Sequence, residues 1–130
     1  MNTDNLKILV IDDDMASLAL VKATLRQANY QNVDLFEDPI EAQSAYLAQA
    51  YDILILDLRM PRLSGFDILK EINSIHSKRP RAIVVTAQVE TGSADKALAL
   101  GAKKVLFKPY NVQDLVAEVA TQVEALAYTS

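Results

Sequence analysis

Cysteine is absent from this 130-residue chain, which excludes disulfides, thiolate metal sites and a cysteine nucleophile, and fits a reducing compartment. Histidine occurs once, at His76, so a histidine metal site is excluded. Within Ser74-Ile75-His76-Ser77-Lys78 it reads as the fraying end of a helix. Glycine and proline are scarce, three and four residues, and with 51% hydrophobic and 23% charged residues the composition is that of a folded domain rather than a disordered or fibrous chain. No apolar run approaches the roughly 18–20 residues that cross a bilayer, and Met1-Asn2-Thr3-Asp4-Asn5 shows no basic stretch leading into an apolar one. Neither a membrane span nor a leader is expected, and the cytoplasm is the expected location. Dense runs of Lys and Arg are also missing. With a net charge of -4 and a pI near 4.9, direct binding to DNA or RNA is not expected, because neutralising the phosphate backbone supplies most of that affinity.

What is present alternates. Lys7-Ile8-Leu9-Val10-Ile11 reads as a buried strand, and Leu18, Val21, Leu25 and Ala28 then recur at helical spacing. A second short strand over 33–36 leads to Asp38-Pro39-Ile40-Glu41, where Asp38 can cap, Pro39 fits the first helical position and Glu41 completes a capping box for a helix to about Ala48. Four aliphatic residues, Ile53-Leu54-Ile55-Leu56, read as a strand buried on both faces. Ser64-Gly65-Phe66-Asp67 opens a helix with Leu69, Ile72 and Ile75 on its inner face, closed by Lys78-Arg79-Pro80. A fourth strand spans 82–85. The helix over 93–100, between Gly92 and Gly101, is rich in Ala and has a weak packing stripe, so it is the element expected to shift. A fifth strand spans 104–107. Asn111 caps the last helix, whose inner face is Leu115, Val116, Val119, Val123 and Leu126.

Five strand and helix units in strict alternation imply one domain over 1–130: an α/β fold with a doubly wound, flavodoxin-like parallel sheet of order 2-1-3-4-5 and five helices. Sites in such sheets lie at the carboxyl ends of the strands, at the switch point between the first and third. That places Asp12, Asp13 and Asp14 beside Asp57, with Thr86 and Lys108 on the neighbouring side. Pro61 makes Asp57-Leu58-Arg59-Met60-Pro61 a loop. Crowded carboxylates repel by up to about 4 kcal/mol per pair at 4 Å and an effective dielectric near 20, so a hard divalent cation is expected among them. Mg2+ suits such an oxygen set, Mn2+ is able to replace it, and zinc does not fit. Met60 reads as a packing residue. With the charge neutralised, Asp57 can attack a phosphoryl group to form an acyl phosphate, whose oxygens meet Lys108, the Thr86 hydroxyl and the metal.

The chain resembles the receiver domain of two-component response regulators. The resemblance rests on Asp12 and Asp13 after the first strand, Asp57 with Met60-Pro61 and Gly65 beyond it, Thr86-Ala87, Gly101-Ala102 and Lys108-Pro109. It implies that Asp57 accepts phosphate from a sensor histidine kinase or histidine phosphotransfer protein, and that Asp12, Asp13 and the backbone carbonyl of Arg59 help hold Mg2+. It also implies that Lys108-Pro109 is cis, and that the face of helix 4, strand 5 and helix 5 controls an output domain or target and can mediate a homodimer. Such a domain is a signalling phosphoacceptor rather than a turnover enzyme. One departure is Val105, at the place where the family usually has an aromatic switch residue; Phe107 lies on the same side of the strand. Phosphorylation is therefore expected to draw Thr86 inward and repack the helix after Gly92 without an aromatic swing, with Arg59 and Gln88 placed to influence water access. Two other readings compete. One is a receiver-shaped module independent of phosphate; the other is a haloacid-dehalogenase-like phosphatase using Asp12 as nucleophile. A flavodoxin-like FMN site is disfavoured by three aspartates where a phosphate loop would be.

Overall fold

A computed structural model describes residues 5–75, 77–88 and 90–129; His76 lies outside them. The strands are β1 (Lys7–Ile11), β2 (Asn32–Phe36), β3 (Ile53–Leu56), β4 (Arg81–Thr86) and β5 (Ala102–Phe107). The helices that alternate with them are α1 (Met15–Gln27), α2 (Pro39–Ala48), α3 (Gly65–Asn73), α4 (Ser93–Ala99) and α5 (Val112–Thr129). The strands form one parallel sheet of order β2-β1-β3-β4-β5, as the alternation predicts.

Period-two alternation divides the core between the two faces of the sheet. Leu9, Ile11, Leu54, Leu56 and Val84 pack with Ala42 and Tyr46 of α2, Ile68, Leu69 and Ile72 of α3, and Ala97 of α4. Ile8, Val10, Ile53, Ile55, Ile83 and Val85 pack with Val21 and Leu25 of α1 and with Leu115, Val119 and Val123 of α5. β3 is the axis of this arrangement, its four side chains all 2% exposed or less. Burying each stabilises by about 1.5–3 kcal/mol, which offsets a similar cost of ordering its backbone and side chain.

The ends of the elements depart from the pattern where local polar contacts override it. The Asp38 carboxylate caps α2 by accepting from Ile40 N at 2.9 Å, while the reciprocal capping box predicted there is made one helix later, between Ser64 and Asp67. α3 stops at Asn73, before the last apolar position Ile75, because Ser74 turns back and gives both its N–H and its hydroxyl to the Glu71 carbonyl. β5 begins two residues earlier than 104, with a bulge that sets Lys104 opposite Ile83.

Candidate functional site

Each principal side chain of the site stands one step past, or at, the end of a strand, where a main-chain bond fixes it. Asp12 N donates to Phe36 O of β2 (3.1 Å), Asp57 N to Ile11 O of β1 (3.0 Å) and Lys108 N to Thr86 O of β4 (2.8 Å). The sheet ladder thus continues just far enough to hold three ionisable residues at its rim. Gly65, the first residue of α3, presses on the loop after β3: its N–H donates to Leu58 O at 2.8 Å, and a Cβ there would lie 2.3 Å from Asp57 O.

Asp12, Asp13 and Asp57 come together, their carboxylate oxygens within 4.8 Å of one another. Asp12 and Asp57 are buried and Asp13 is exposed. Asp14 departs from the expected cluster: its carboxylate caps α1, accepting from Ala16 N (3.0 Å) and the Ser17 hydroxyl (3.1 Å). Lys108 reaches across the cleft, Nζ lying 2.6 Å from Asp12 Oδ2 and 3.2 Å from Asp57 Oδ2. Burial pushes the Asp12 carboxyl above its usual value, although the Lys108 ammonium and Asp14 N–H oppose the rise. Burial works to lower Lys108, but the hydrogen bond and charge of Asp12 and the charge of Asp57 prevail and raise it. The amine is therefore a fixed positive charge that holds the acids together. The donors gathered around it are all oxygen, the set a hard cation prefers, and they fit Mg2+.

Asp57 Oδ1 also accepts from Leu58 N at 2.7 Å. Thr86, fully buried, turns its hydroxyl to accept from Gln88 N at 3.1 Å. The Lys108–Pro109 peptide is cis. Met60 is buried in the core under the loop. Val105 packs against the α2–α4 side of the core, whereas Phe107, opposite Thr86 in the sheet register, is 43% exposed. Asp14, Asp57, Arg59, Thr86, Gln88 and Lys108 line one open cleft of about 230 Å³, Asp14 at its edge while its carboxylate caps α1. The sequence does not reveal that Arg59 is ion-paired with Glu90, or that Gln88 reaches Glu90 and Ser93. The sequence placed Arg59 and Gln88 beside the site without these side-chain partners.

The fold and its rim of acids clamped by a lysine define a doubly wound α/β domain built to hold a charged group at the switch point of its sheet. The family model for the response regulator receiver domain matches residues 8–120. The transcriptional regulatory protein ZraR of Escherichia coli (strain K12) is 35% identical over 129 residues, covering 99% of this chain and 28% of that protein. The probable chemotaxis protein CheY of Rhizobium etli is 26% identical over 124 residues, 95% of this chain and 96% of that one. A response regulator receiver domain structure from Clostridium thermocellum superposes with a TM-score of 0.85 at 30% identity, covering 96% of this chain and 99% of that one. The chain belongs to the response regulator receiver domain family, the phosphoacceptor signalling domains of two-component systems. It spans 28% of the length of the ZraR regulator it matches. Among the described residues, no helix is long and apolar enough to cross a membrane.

Proposed function

We propose that Asp57 is the phosphoacceptor, taking a phosphoryl group from a sensor histidine kinase or a histidine phosphotransfer protein. An Asp57 carboxylate oxygen attacks phosphorus, the bond from phosphorus to the donor's imidazole nitrogen breaks, and the imidazole leaves with that electron pair and takes up a proton. Mg2+, or Mn2+ in its place, held by Asp12, Asp13, Asp57 and the backbone carbonyl of Arg59, would supply the neutralising charge on the phosphoryl oxygens. Lys108 exchanges its contact with Asp57 for a phosphoryl oxygen, and Thr86 turns its hydroxyl from Gln88 N to another. The observation that carries this reading is the convergence of Asp12, Asp13 and Asp57 within 4.8 Å with Lys108 bridging two of them.

In this reading residues 1–130 act as one cytoplasmic receiver unit that promotes only its own phosphorylation and dephosphorylation. The output is a change in the face formed by α4, β5 and α5, which acts on an output domain or target protein or pairs two copies; nucleic acid is not bound by this unit itself. Incubation with a small-molecule phosphodonor and Mg2+ should add one phosphoryl group per chain, and Asp57→Ala or chelation should abolish it. Repeated turnover of a phosphate ester would favour the Asp12 phosphatase reading instead.

A further inference from the structure

α4 is held at its N-terminus by polar contacts rather than by packing. Of its residues only Ser93 and Ala97 are buried, and its cap position, Gly92, makes no side-chain cap bond. Gln88 Nε2 donates to Ser93 Oγ and to Glu90 Oε2, both at 3.1 Å, and Glu90 Oε1 takes the Arg59 guanidinium. Gln88 N in turn donates to the Thr86 hydroxyl. A continuous set of contacts therefore runs from the loop after Asp57 to the first residue of α4, with Gln88 as its node.

We propose that the Arg59–Glu90 ion pair is a latch on α4, opened when phosphorylation of Asp57 draws Arg59 off Glu90. The inference rests on the acceptor role of Asp57. Arg59 lines the same cleft as Asp57. With Mg2+ and Lys108 balancing the three acids, phosphorylation adds about one net negative charge to the cleft, as much as Glu90 carries, on oxygens that accept a guanidinium. The Glu90 side chain is 62% exposed and strongly screened, while the Asp57 side chain is 10% exposed. The balance of charge and screening thus favours the phosphoryl group. Thr86 swinging to a phosphoryl oxygen withdraws the acceptor from Gln88 N at the same time, so both movements act on the residue that holds Ser93. This route needs no aromatic at Val105.

Hydrogen exchange of the α4 amides in the whole chain tests the latch, with beryllofluoride and Mg2+ as the probe. In the wild type the probe should speed exchange about two- to fivefold, the worth of an exposed ion pair. Glu90→Ala should exchange that much faster without the probe and respond little to it. The charge-swapped double variant Arg59→Glu, Glu90→Arg restores the pair, so it should be as slow as the wild type; because the carboxylate at position 59 is repelled by the probe, it should respond no more than Glu90→Ala does, through Thr86 alone. An unaltered α4 in Glu90→Ala, or a full response in the swapped pair, overturns the latch. Altered exchange of the cleft amides Leu58 and Gln88 on adding the probe, with α4 unmoved, refutes the latch alone. No effect of the probe on those cleft amides in the wild type refutes the acceptor reading and the latch with it.

Discussion

Replacing Lys108 with Met keeps the aliphatic stem and removes the charge that bridges two acids. Its side chain is 16% exposed and those of Asp12 and Asp57 are 6% and 10%. Removing one partner from a fully buried ion pair costs about 3–5 kcal/mol; here the rim position lets some water in, and about 2–3 kcal/mol is expected. For a domain of this size that lowers Tm by about 6–12 °C. The loss should depend on Mg2+. A unit positive charge within about 5 Å of a divalent ion costs some 1.7 kcal/mol even at the dielectric of bulk water, so losing the ammonium should raise Mg2+ affinity about twentyfold. Thermal unfolding across a Mg2+ titration reads both effects: the variant starts well below the wild type in EDTA and closes most of the gap at saturating Mg2+. An equal deficit with and without Mg2+, or an unchanged affinity, would refute the reasoning that Lys108 and the cation neutralise the same acids.

Gly65→Ala should cost about 2–3 kcal/mol, because the added methyl meets the Asp57 carbonyl oxygen at 2.3 Å and backbone cannot yield as a side chain can; urea denaturation measures the loss, and slower labelling by a phosphodonor should accompany it. Leu54→Ala, at a fully buried position of β3, should cost about 2–5 kcal/mol in the same assay while leaving the acids in place. The Asp38 carboxyl is held below its usual 3.8, first by the Arg62 guanidinium and then by Ile40 N–H. Its folded value lies below its unfolded one, so its stabilisation is present above about pH 4 and is lost as pH falls through the folded value. Asp38→Ala should therefore flatten the acid limb of a stability-against-pH curve, and an unaltered limb would contradict this assignment.

The sheet was legible because buried parallel strands write themselves as unbroken apolar runs, and the site because four of those runs ended in polar residues of complementary kind. Asp12, Asp57, Thr86 and Lys108 followed from that rule alone. Asp14 did not: three consecutive aspartates look alike in sequence, and only the start of α1 decides that the third gives its carboxylate to Ala16 N rather than to the cluster of acids. The end of α3 was misjudged for a related reason, since a serine that bonds back to a carbonyl three residues earlier leaves the apolar spacing intact while stopping the helix. The Arg59–Glu90 pair escaped because no spacing encodes contact between loops 31 residues apart, although Arg59 and Gln88 were themselves placed near the site. Val105 was visible as a departure, but its consequence required the register that sets an exposed Phe107 opposite Thr86.

In the function proposed above, clustered acids at the sheet rim prime one of them, Asp57, to carry a phosphoryl group. Treating the chain with a phosphodonor and then borohydride converts an aspartyl phosphate to homoserine, which peptide mass mapping locates. The account predicts homoserine at position 57, formed only when Mg2+ or Mn2+ is present. Homoserine at position 12 or 13, or none at position 57 under Mg2+, would contradict it.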